Sequence, residues 1–300
     1  MIVRWISAGA LLLSSASVWA ISPYIQGDAV PGGTVQAAAA AVEARLKTGG
    51  FKVIGKYFPP DLAGYGVVIA TDHAMLEEVG SVGGHAVMGA AIRVGVKANG
   101  NIAYTNPDYW YRAYFRKSFD KKEEAVKALQ ARLQATLGAG KDVGGDESAS
   151  SLTNYRYMVG MERLDSSKNK LTEYGSFTDA VKAVRDNLAK GAGKTTKVYE
   201  VVLPNQKLAV FGVAMNDGAH SDGEWIKKID MQESIAGLPY EIYVVDNQVS
   251  APHGRFRIAL AFPDVGMGQF MRISSLPNAI MATMGAVAGV EKNASEESWK

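Results

Sequence analysis

The sequence predicts an α+β fold, a tandem duplication of one helix-plus-antiparallel-sheet unit packed as a pseudo-dimer. Strand-turn-strand segments alternate with segments of helical period, and 300 residues suffice for two ordinary cores. The third observation is a repeat. Adding 145 to the residue number lays residues 52–59 (KVIGKYFP) on 197–204 (KVYEVVLP), 64–72 (GYGVVIATD) on 209–217 (AVFGVAMND), and 104–115 (YTNPDYWYRAYF) on 249–260 (VSAPHGRFRIAL). Identities are few, but one offset holds through three blocks separated by unrelated loops, and the apolar alternation follows it.

Each element has a local reason. Val35, Ala38, Val42 and Leu46 recur at helical spacing, and Gly49-Gly50 stops that helix. In the second unit Ser176 caps a helix with Phe177, Ala180, Val181, Val184 and Leu188 on one face. Strand pairs follow at 51–58 with 66–70 and at 198–203 with 208–215, turned at Pro59-Pro60 and Pro204-Asn205. A second pair in each unit, 91–98 with 101–104 and 240–245 with 248–250, turns at Asn99-Gly100 and Asp246-Asn247. A helix from Ser118, with Phe119, Val126, Leu129, Leu133 and Leu137 on its apolar face, ends at Gly138. Residues 138–151 (GAGKDVGGDESASS) read as a polar glycine-rich linker. Residues 155–173 read as an extra hairpin turned at 166–169, with no counterpart in the first unit. The expected organisation is therefore an export signal over 1–20, a first repeat over 21–137, the linker over 138–151 and a second repeat over 152–300.

Composition narrows the chemistry. Lys+Arg 32 against Asp+Glu 30 leaves +2, with the positive charges scattered, so no footprint for nucleic acid appears. The absence of cysteine excludes disulfides, thiolate metal sites, thiol catalysis and a lipoprotein anchor. Arg4, the apolar run at 6–18 and the Val18-Trp19-Ala20 end read as a secretory signal cleaved after Ala20, giving a periplasmic or secreted protein. The run is too short to span a bilayer, and no later stretch does better, so no stable membrane insertion is expected after cleavage.

Residues 238–252 (LPYEIYVVDNQVSAP) comprise an apolar-Pro entry, a strand, an Asp/Asn turn and a second strand ending at Pro. This segment resembles the hairpin of the domain of unknown function 302 family, and residues 91–107 repeat it with Asn-Gly at the turn and Gly89-Ala90 in place of the Leu-Pro entry. The resemblance implies small α+β units of a homodimer-forming kind, here fused in one chain, and it brings no catalytic residues.

No dinucleotide, P-loop, nucleophile-elbow, zincin or EF-hand pattern is present. The remaining signals are Asp72 and His73 at one strand exit and Asp217, His220 and Asp222 at the matching exit. Two carboxylates and an imidazole within six residues suit a divalent cation, which makes Asp217, His220 and Asp222 the metal candidates. Arg112 and Arg257, read as equivalent residues on the strands after Pro107 and Pro252, suit an anionic group. The aromatic cluster Tyr104, Tyr109, Trp110, Tyr111, Tyr114 and Phe115 suits a flat ligand or a core. Met267, Met271, Met281 and Met284 suit copper or two core helices. The expected function is the binding of a small ligand or a partner protein, at a site where Asp72, His73, Arg112, Asp217, His220 and Arg257 converge between the halves. The alternatives are a periplasmic divalent-metal or copper handling protein and an unrecognised hydrolase; no cofactor is indicated.

Overall fold

A computed structural model describes residues 20–290, so the expected export signal over 1–20 lies outside the described residues apart from Ala20, as do the last ten residues. The chain is α+β, with two antiparallel sheets and a small two-stranded ribbon. In the first half, β1 (Ala20–Ile21) and β2 (Tyr24–Gln26) precede α1 (Val35–Thr48), which is capped by Thr34 and ended at Gly49 as its sequence demands. There follow β3 (Lys52–Tyr57), β4 (Tyr65–Thr71), α2 (His73–Val82), a 3₁₀ segment (Gly84–Ala90), β5 (Ile92–Lys97), β6 (Ile102–Thr105), α3 (Pro107–Phe115) and α4 (Glu123–Leu137). The β5–β6 turn needs the glycine at its tip, where Gly100 has φ +88°.

Residues 138–151 do not form a free linker. They supply β7 (Asp142–Val143), which pairs with β2, then β8 (Glu147–Ser148), which pairs with β1, and begin α5 (Ala149–Leu152). Nor is 155–173 a hairpin. It runs irregularly to a 3₁₀ turn (Ser167–Asn169) and a single strand β9 (Lys170–Glu173) on the edge of the second sheet. Asn169 makes that turn by donating to the carbonyls of Arg163 and Leu164, so the segment closes on itself rather than pairing with itself. β9 pairs with β13 as β2 pairs with β6, which gives the segment a counterpart in the first half.

The second half continues with α6 (Phe177–Ala189), β10 (Thr195–Leu203), β11 (Leu208–Met215), α7 (Asp222–Lys228), a 3₁₀ segment (Gln232–Gly237), β12 (Tyr240–Val245), β13 (Gln248–Ser250), α8 (Gly254–Ala261), α9 (Met267–Met271) and α10 (Leu276–Val287). The sheet orders are β3-β4-β5-β6-β2-β7 and β10-β11-β12-β13-β9. α1 packs on β3, β4 and β5 and against α4, whereas α6 packs on β10 to β13 and against α10.

Three features join the halves. β3 lies along β10 so closely that a Cβ on Gly55 would stand 2.5 Å from the Val198 carbonyl oxygen and 3.2 Å from the Cβ of Tyr199. The 3₁₀ segment of each half packs on the sheet of the other: Gln232–Gly237 on β4, β5 and β6, Gly84–Ala90 on β11 and β12. Buried residues of both halves form one continuous core.

The ladders do not keep the constant offset expected of the repeat. Each first strand pair carries one irregularity, between Val53 and Gly55 and between Lys197 and Tyr199. Matching these sets Gly55 on Tyr199, and the ladders then set Ile69 on Gly212 and Arg93 on Glu241. The helix caps set Asn106 on His253. The steps are not a constant 145, because the connections differ in length, so Arg112 and Arg257 are not equivalent; Arg257 matches Trp110. Arg112 and Arg257 also sit on helices, α3 and α8, not on strands. Asn106 caps α3, Pro107 occupies its first turn, and Arg112 bonds Asp108 one turn back, which outweighs the strand preference of the aromatic run.

Candidate functional site

The six residues expected to converge are each engaged by a different neighbour. Asp72 is buried, caps α2 through Oδ1 to the Met75 N–H at 2.9 Å, and meets Arg132 through Oδ2 at 2.6 Å. His73 is 89% exposed with only Glu77 nearby, at 3.7 Å. Arg112 bonds Asp108 at 2.9 Å and lies 4.1 Å over the Phe119 ring. Asp217 meets Lys194 at 2.5 Å on the surface, and the His220 ring lies 3.2 Å from the Ser275 hydroxyl. Arg257 is fully buried on Glu241. None of the four cavities described below is lined by any of them.

The metal candidates separate in the same way. Asp222 turns into the core, where it accepts the Tyr57 hydroxyl at 2.8 Å, the Met215 N–H at 3.0 Å and the Trp225 Nε1–H at 3.2 Å. Among the described residues no group of three or more histidines and carboxylates is placed to hold a metal ion. Met281 and Met284 are core residues, while Met267 and Met271 are exposed, so the four thioethers do not share a face. The aromatic cluster is core throughout: Tyr104, Tyr109, Trp110, Tyr111, Tyr114 and Phe115 are all buried. His253, buried as the cap of α8, is held down to about 4 by burial despite Glu162 beside it, so it is neutral near pH 7. Burial likewise lowers His85, whose Nδ1 lies 3.1 Å from the Tyr243 hydroxyl.

What the fold does bring together was not read from the sequence. The first assembly is a buried ionic cluster between the halves. Glu241 accepts from Arg93 of the first half and from Arg257 Nε at 2.8 Å and Nη2 at 3.0 Å. The Trp110 ring lies against both guanidiniums, its centre 4.5 Å from that of Arg93 and 5.1 Å from that of Arg257. The sequence signal was a charge inside each otherwise apolar strand, IRVGVK and YEIYVV.

The second assembly is a surface groove lined by Tyr157, Met161, Arg255, Ile258, Ala259, Phe262, Val265 and Phe270. Every exposed large hydrophobic among the described residues, Tyr157, Met158, Val159, Met267 and Met271, belongs to the two segments that meet at this groove. Val159 is 94% exposed. The run Tyr157-Met158-Val159-Gly160-Met161, apolar but without a periodic partner, was its sequence signal.

Two further hollows are open: one of about 470 Å³ over Phe58, Pro59, Pro60 and Tyr65, and a cleft of about 430 Å³ between the halves, where Lys97 pairs with Glu233 beside Asn101, Ser234 and Asp264. No helix among the described residues is long and apolar enough to cross a membrane.

The chain matches no family model, no curated protein and no solved structure.

Proposed function

We propose that the chain is an exported, duplicated binding module that docks a partner protein through the groove between residues 157–161 and α9. The observation that carries this is the concentration of all the exposed large hydrophobics on one surface. A solvated protein gains nothing from displaying Val159, Met267 and Met271 on the two segments that meet at the groove, and Met161 in its lining gives an adaptable apolar seat. Arg156 is exposed beside Tyr157, and Arg255 lines the groove with only a 3.4 Å contact to Glu162, so the complementary partner is an apolar segment that carries a carboxylate. Duplication supports the reading. Residues matched by the ladders and the helix caps touch one another, Gly55 with Tyr199, Arg93 with Glu241 and Trp110 with Arg257, which is what a twofold relation between two copies of one unit produces.

A photo-crosslinking side chain placed at Val159 or Met267 is expected to give an adduct with one partner in producing cells. The same group at Gln36, in the other open hollow, gives none, and Arg156→Glu with Arg255→Glu abolishes the adduct. An adduct with a second copy of the chain, or equal labelling at all three positions, would overturn the reading.

Export has its own test. The mature protein is expected in the periplasmic or extracellular fraction with an intact mass beginning at Ile21, which is buried at the start of the described chain. A membrane-bound product retaining Met1 would count against it.

The polar cleft between the halves is the second reading. Its volume of about 430 Å³ suits a small polar ligand, and with Glu233 paired to Lys97 it is Asp264 that favours a cationic group on it.

A further inference from the structure

The ionic cluster between the halves is short of negative charge. Arg93, Arg257 and Glu241 are each at least 98% buried, and one carboxylate faces two guanidiniums. Asp222, whose field reaches Arg257, spends its oxygens on Tyr57, Met215 and Trp225. Arg257 places its other bonds on backbone, with Nη2 on the Gly237 carbonyl at 2.8 Å. A buried cation with no carboxylate of its own is among the costliest arrangements a core can contain.

Unmade hydrogen bonds lie at the same place. Arg93 Nε and the Tyr114 hydroxyl are buried without a well-formed hydrogen bond; the Arg93 guanidinium reaches the Tyr114 oxygen, and the Tyr114 O–H itself has no acceptor. Beside them is a cavity of about 10 Å³, lined by Gly89, Thr105, Pro107, Trp110, Tyr111, Tyr114 and Arg93 itself. It has the size of one water or one monoatomic ion. Two acceptors around it already receive a bond: the Gly89 carbonyl from Tyr111, and the Thr105 hydroxyl oxygen from the Arg93 N–H. An anion there needs donors only, and it brings the negative charge that one carboxylate between two guanidiniums leaves unmet.

We propose that this cavity binds a single small monoatomic anion, of the chloride class, held by Arg93 and Tyr114 in the first half, where Arg93 links to Glu241 of the second. The ion supplies the missing charge and satisfies donors from the first sheet and α3. Its role is to fasten the interface, so it is independent of the partner groove.

The test is thermal unfolding of the full chain at constant ionic strength, with chloride exchanged for gluconate, which is too large for the cavity. Halide is expected to raise Tm along a saturating curve, by about 5 °C at a hundredfold excess over Kd. Tyr114→Phe should flatten that curve, while Tyr155→Phe, which removes a buried unpartnered hydroxyl elsewhere, should leave it unchanged. If Tyr114→Phe does not fold, bromide soaked into crystals of the unaltered protein decides the matter by an anomalous peak beside Arg93. Equal Tm values in chloride and gluconate, or water density without an anomalous signal, would overturn the proposal.

Discussion

Glu241→Gln is expected to destabilise the protein by about 3–5 kcal/mol, the range for removing one partner from a buried ion pair. The replacement keeps the shape of the side chain, so packing around it is preserved. What changes is charge: Arg93 and Arg257, both fully buried, lose the one carboxylate that accepts from them. Urea unfolding monitored through the tryptophans measures the loss as a fall in midpoint at constant slope. A second variant separates charge from shape. Replacing Arg93, Glu241 and Arg257 together by methionine, leucine and methionine removes every charge at similar volume, and should recover most of the stability lost by Glu241→Gln. The ionic cluster would not be the electrostatic unit described here if Glu241→Gln unfolds within about 0.5 kcal/mol of the unaltered protein, or if the triple replacement is the worse of the two.

The elements governed by local chemistry were legible in the sequence. Thr34 and Gly49 bound α1, Ser176 caps α6, and Asn99-Gly100 turns β5 into β6, because caps and tight turns depend on a few adjacent atoms. α3 reads as a strand because Tyr109, Trp110, Tyr111, Tyr114 and Phe115 are residues that favour strands, although Asn106-Pro107-Asp108 carries a cap, a first-turn proline and an acidic first turn. The site was less legible, for a different reason. Asp72 looked like a ligand because it is an acid at a strand exit, yet that is also where a helix cap belongs, and it caps α2. Histidines at loop tips look alike in sequence whether they converge or, as with His73 and His220, stand apart on the surface. The interface rests on pairs such as Tyr24 donating to the Ala261 carbonyl, 237 residues away, or Arg93 meeting Glu241, 148 away. No local pattern encodes a contact at that separation; only the oddity of a charge in an apolar strand points to it.

Acid is expected to strengthen the link between the halves through Asp222. This carboxyl is completely buried, and burial pushes it up to about 6 from 3.8, against the opposing pull of its three donors and of Arg257. The folded chain therefore holds a proton more tightly than the unfolded chain. With the folded value above the unfolded one, the contribution is fully present below about pH 4 and fades as pH rises through about 6. The whole amplitude is about 3 kcal/mol, of which about 2 kcal/mol falls between pH 4.5 and 7.5. Many other groups titrate in that window, so the measurable quantity is a difference. Asp222→Asn keeps the shape but cannot ionise, and the free-energy gap between the unaltered protein and this variant should shrink by about 2 kcal/mol from pH 4.5 to 7.5. The donor to Asp222 from the first half, Tyr57, offers the control. Tyr57→Phe removes a bond that favours the ionised carboxyl, so it should move the fading of the gap to higher pH. A gap that is flat across the range, or that widens as pH rises, would mean that Asp222 is ionised at an ordinary pH and that its three donors outweigh its burial.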